Sequence, residues 1–173
     1  MEELTLKIVT RQTVDPMPPA RGEDTGLPPE EEDAVLDRLI GLTPDPGEEE
    51  VLELVTGALC EMDESGEVRI SYIESEVTGM EGTVTTIRFR RDDPGLVTIT
   101  RAGVFSSVIV LEKQKVHATL YEMPGASLEM KIHTLDLDNR LEDGGCLRAD
   151  YVLRIGGEIT MRNRLSVEIL GNA

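Results

Sequence analysis

A chain of 173 residues is long enough to bury one core without disulfides or a metal, so a single domain spanning 1–173 is expected. Its net charge of −17 excludes nucleic acid and anionic membrane surfaces as default partners, because both are held through clustered Lys and Arg. With three Tyr, two Phe and no Trp, the core has to be built from Val, Ile, Leu and Met, a composition that suits sheets.

Leu4, Leu6 and Ile8 alternate with Thr5 and Lys7, the period-2 pattern of a half-buried first strand. The composition then shifts. Between Asp15 and Glu50 stand 12 acidic residues against Arg21 and Arg38, a net of −10, and seven of the nine prolines fall at 16, 18, 19, 28, 29, 44 and 46. No sheet runs through such a stretch, so an acidic, Pro-rich insertion is expected at about 15–48. Inside it, Pro28-Pro29 precede Glu30 to Asp33, and Val35, Leu36, Leu39 and Ile40 follow at helical spacing before Gly41. That order predicts one short helix over 29–41, with its apolar stripe buried across a barrel end or on a second copy of the chain.

From Val51 onward the chain predicts strands at 50–61, 67–76, 80–90, 96–102, 104–113, 115–122, 127–138, 145–156 and 158–169. Turn signals such as Ser65-Gly66, Pro124-Gly125 and Gly156-Gly157 separate them. The last three have the clearest faces: Leu128, Met130, Ile132 and Thr134; Leu147, Ala149, Tyr151, Leu153 and Ile155; Ile159, Met161, Leu165, Val167 and Ile169. Consecutive hairpins leave open edges unless the sheet closes, so the predicted fold is all-β, a closed antiparallel meander barrel of 8–10 strands. Such an interior is either filled by side chains or holds one small ligand.

Cys60 and Cys146 lie far apart with no CxxC spacing, which predicts two reduced thiols. No apolar run reaches the ~18 residues of a membrane helix, and the first residues lack the charged and apolar regions of a signal peptide. A cytoplasmic location is therefore expected.

Ile70-Ser71-Tyr72-Ile73-Glu74-Ser75, Thr78-Gly79-Met80-Glu81-Gly82-Thr83 and Thr98-Ile99-Thr100-Arg101-Ala102-Gly103 follow one another in order. Lys115-Val116-His117, Leu120 to Gly125 and Asp150-Tyr151 come after them. This succession resembles the YwiB-like family, a bacterial domain of unknown function, over Val68 to Leu170. The resemblance implies a calycin-like β-barrel, the architecture shared with lipocalins and fatty-acid-binding proteins, and no established activity.

Six residues are candidates for contacting a ligand: Tyr72, Glu74, Glu81, Arg101, His117 and Tyr121. Glu74 and Glu76 share one side of a predicted strand and read as a solvated hairpin end, while Glu81, between Gly79 and Gly82, suits a turn that fixes its side chain. Arg101 has to be paired if it points inward, with Glu74 or Glu81, because an unpaired buried charge costs several kcal/mol. His117 and Tyr121 share a parity against Val116, Ala118 and Leu120 and read as outward-facing polar positions; His133 reads as surface. Neither a nucleophile elbow, a P-loop nor a dinucleotide fingerprint is present, and His and Cys lack metal-ligand spacing, so no catalytic residue, metal or cofactor is predicted. The leading expectation is a non-catalytic barrel binding a small apolar or amphipathic molecule. An interaction or oligomerisation module using the acidic insertion is the alternative. A hydrolase using Glu74, Glu81 and His117 is a third reading, for which nothing in the sequence brings the groups within reach.

Overall fold

The structure, a computed structural model, describes residues 1–14, 47–157 and 159–172. Ten antiparallel strands close into a barrel: β1 (Glu2–Val14), β2 (Glu49–Met62), β3 (Glu67–Ile73), β4 (Val84–Arg90), β5 (Asp93–Ala102), β6 (Ser106–Glu112), β7 (Val116–Met123), β8 (Ala126–Asn139), β9 (Cys146–Ile155) and β10 (Ile159–Asn172). Each strand pairs with its sequence neighbours, and β1 pairs with both β2 and β10, so the sheet closes on itself; the seam between β6 and β7 is the sparsest, paired only at Ser106–Glu122 and Ser107–Tyr121. The all-β closed meander read from the sequence is the fold. The helix expected over 29–41 lies outside the described residues.

Hairpin chemistry sets the register. Pro124 and Gly125 occupy the two central positions between paired Met123 and Ala126, with Gly125 at φ +84°, a left-handed value that glycine adopts without a Cβ clash. Strand ends differ from the expectation between β3 and β4. The Glu74 N–H donates to Thr83 O at 2.9 Å and the Gly82 N–H donates to Glu74 O at 3.2 Å, so residues 75–82 turn out of the sheet through a 3-10 turn, Glu76–Thr78. The strand predicted over 67–76 therefore ends at Ile73, and Glu74 and Glu76 do not share a strand face.

Inward alternation stacks the β3–β6 wall in rows of direct cross-strand partners. Val68, Phe89, Val97 and Leu111 form one row, and Ile70, Ile87, Ile99 and Ile109 form the next. All eight are buried. Burying an aliphatic or aromatic side chain of this size contributes about 1.5–3 kcal/mol, and the β-branched isoleucines fit the pleat. On the opposite wall Ile8, Val167 and Leu147 form the corresponding apolar row.

Candidate functional site

One register step above the isoleucines the wall changes character. Tyr72 pairs with Thr85, Thr85 with Arg101, Arg101 with Ser107, and Ser107 with Tyr121, placing five polar side chains on five successive strands. The other five strands repeat the pattern: Glu50 pairs with Gln12, Gln12 with Asn163, Asn163 with Tyr151, and Tyr151 with Thr134. Every strand thus contributes at least one polar residue to the inner surface. Eight of the ten, all except Thr85 and Thr134, line a cavity of about 380 Å³ inside the barrel. Its apolar lining includes Ile87, Ile99, Ile109, Met130, Leu153 and Val167.

Arg101 is the centre of this belt. Its field acts on Tyr72, Tyr121 and Tyr151, all the tyrosines the chain has. Burial pushes the three phenols above their usual range, and the guanidinium opposes that shift; at Tyr72 the nearby Glu74 carboxyl adds to the rise. Tyr121 also stacks on Phe105, with ring centroids 6.4 Å apart and planes at 26°. Gly103 lets β5 leave the belt tightly: a Cβ there would lie 2.5 Å from Thr83 Oγ1 and 3.1 Å from Thr83 Cα. Glycine two residues after Arg101 is thus a packing requirement.

Among the described residues four buried side-chain atoms lack a partner, Ser75 Oγ, Arg101 Nε, Asn139 Nδ2 and Asn163 Nδ2, and two of them, on Arg101 and Asn163, belong to residues that line the cavity. Arg101 Nε is buried without an acceptor, and none of the ion pairs among the described residues includes Arg101. Asn163, only 1% exposed, has its Nδ2 buried with no acceptor. Glu74, 4% exposed, is better provided for: its Oε1 accepts from Thr85 Oγ1 at 2.7 Å, and the Tyr72 hydroxyl interacts with the same carboxyl. Buried donors without partners each cost about 1–3 kcal/mol, more when charged.

Several expectations are corrected. Arg101 points into the barrel, yet it is paired with neither Glu74 nor Glu81 among the described residues; it faces open volume instead. Glu74 is deeply buried and lines the cavity, so it is not a solvated hairpin end, whereas Glu76 is exposed at the cavity's rim. Glu81 is exposed on the turn before β4, outside the cavity. His117 and Tyr121 lie on the inner face of β7, where Val116 and Leu120 are the exposed residues. Tyr121 lines the cavity; His117 Nε2 lies 3.2 Å from Glu112 Oε2 and takes no part in the lining. The cavity therefore holds Glu74 without Glu81 or His117, and the three-residue hydrolase arrangement is not assembled.

Sequence reasoning missed Ser107, Gln12 and Asn163. Asn163 carried a signal: it is the one polar interruption in the inward series Ile159, Met161, Leu165, Val167 of β10. Among the described residues no group of three or more His, Cys, Asp or Glu could hold a metal, and no helix is long and apolar enough to cross a membrane.

A family model described as a domain of unknown function, DUF1934, matches residues 41–167, which takes in β2 to β9 and most of β10. The crystal structure of the ywiB protein from Bacillus subtilis is similar over 98% of this chain and 94% of that chain, with a TM-score of 0.58 at 15% sequence identity. No curated protein matches the chain. The ywiB likeness carries the fold, the family match carries membership, and the chain accordingly belongs to the YwiB-like DUF1934 family of domains of unknown function.

Proposed function

We propose that this barrel is a non-catalytic binding protein that holds one small amphipathic molecule in its lumen. The observation that carries this reading is the pair of unpartnered donors, Arg101 Nε and Asn163 Nδ2, buried on the wall of a cavity of about 380 Å³. A chain that needed the interior only for stability would fill it with aliphatic side chains, as the two rows below do, since an unpaired buried donor destabilises the fold. A cavity of this size, mostly apolar with a few convergent polar groups, is the common form of a small-molecule site. The bound molecule sets its apolar part against Ile87, Ile99 and Ile109 and its polar end among Arg101, Asn163 and the tyrosines. Among the described residues no nucleophile–base pair lines the cavity, and binding rather than turnover is the role assigned.

Native mass spectrometry of the purified protein tests this. A retained adduct of small-molecule mass, lost on unfolding and absent from the Arg101→Met variant, is the expected result. A bare mass, together with an experimental lumen packed solid by side chains, removes the reading.

A further inference from the structure

The charges in the lumen restrict what it holds. Arg101 supplies a cation and Glu74 an acid group to the same cavity, and both act on the Tyr72 hydroxyl between them. They do not form an ion pair with one another; Glu74 Oε1 is taken by the Thr85 hydroxyl and Arg101 Nε has no acceptor. A barrel meant for an uncharged guest would gain by letting these two groups meet, because a paired charge needs nothing further from the ligand.

Single-charged guests fit poorly. A simple anion answers Arg101 and Asn163 but brings negative charge beside buried Glu74 and past Glu50 and Glu76 at the exposed end of the lining. A simple cation answers Glu74 and leaves Arg101 and the Asn163 amide unpaired. From this separation of opposite charges within one cavity we infer that the ligand is a small zwitterion with an apolar side chain, of the α-amino acid kind. Its carboxylate is received by Arg101 and Asn163, its ammonium by Glu74, and its side chain by the isoleucine row. The inference rests on the binding reading above and names the chemical class that the same site takes.

The test uses one carbon skeleton with its charges removed in turn, by isothermal titration calorimetry on the full chain. The probes are L-leucine, 4-methylpentanoate, 3-methylbutylamine and 4-methylpentan-1-ol. Leucine is expected to bind at least tenfold more tightly than any other member. Glu74→Gln should bring leucine down to the level of the carboxylate, and Arg101→Met should bring it down to the level of the amine. If 4-methylpentanoate or the alcohol binds wild type as tightly as leucine, the zwitterion is wrong and the binding role stands. If none of the four binds, the inference also falls, and native mass spectrometry then separates the cases: an adduct keeps the binding role, a bare mass ends both. The wild-type series decides even where a variant fails to fold.

Discussion

The isoleucine row and the polar row of the same wall are one register step apart on the same strands, and they obey opposite rules. Ile70, Ile87, Ile99 and Ile109 meet one another across the strands and leave no donor or acceptor to satisfy. Directly above, Tyr72, Thr85, Arg101, Ser107 and Tyr121 turn hydroxyls, a guanidinium and aromatic faces inward, and two donors of this belt, Arg101 Nε and Asn163 Nδ2, have no partner among the described residues. Backbone geometry is common to both rows, so the difference lies in side-chain chemistry alone. The lower row is closed by apolar contacts alone, whereas the upper row combines buried tyrosine rings with polar groups aimed at the lumen.

That contrast is open to direct attack. The largest effect is expected in the lower row: Ile99→Ala should lower unfolding free energy by about 2–5 kcal/mol, read from urea denaturation, since a buried aliphatic side chain is lost and the cavity that it lines is enlarged. A loss below ~1 kcal/mol would mean that the lower row is not the structural one. Next is an alkaline effect from the upper row. Buried Tyr72 and Tyr151 have folded pKa values raised above 10.0, so the fold keeps protons that the unfolded chain releases. Stability is then fully present below pH ~10 and falls above it by about 1.4 kcal/mol per pH unit for each of these tyrosines. Replacing both by Phe should flatten that limb. The smallest effect is Arg101→Met, expected to change stability by less than about 1 kcal/mol or to raise it, because a half-buried cation with an unsatisfied Nε is removed and no ion-pair partner among the described residues is stranded. A loss of several kcal/mol would show that the guanidinium is structurally paired.

Much of the scaffold was legible, because strands at the ends of tight turns carry their burial in period 2. Leu4, Leu6 and Ile8, or Leu147 to Ile155, report the inner face through hydrophobicity alone. The same logic misassigns β7. There Tyr121 faces the cavity, Thr119 Oγ1 donates to Val108 O across the sparsely paired β6–β7 seam and His117 lies against Glu112, so these three turn in while Val116 and Leu120 turn out, inverting the rule that apolar means inside. Tyr72, Glu74, Arg101 and Tyr121 were identifiable as chemistry-bearing residues. Their convergence was not, because Tyr151 and Asn163 reach the same space from β9 and β10, and only the shear of the closed barrel brings those positions opposite β5. Glu81 misled through its flanking glycines, which shape an exposed turn.

The closure of β10 onto β1 also bears on how the chain folds. Every other strand pairing joins neighbours in sequence, but Leu4 opposite Asn172 closes a loop of about 170 residues. By loop-closure entropy that seam costs roughly 3 kcal/mol more to form than a tight hairpin. Of all the strand pairings the seam is the one most exposed to loop-closure entropy, so it is expected to form after the hairpins and to slow folding. The Asn172 Nδ2 that donates to Glu2 Oε1 at 2.6 Å marks where the two ends arrive. A short peptide joining them would turn the slowest contact into a local one and accelerate folding, with the lumen and its belt untouched.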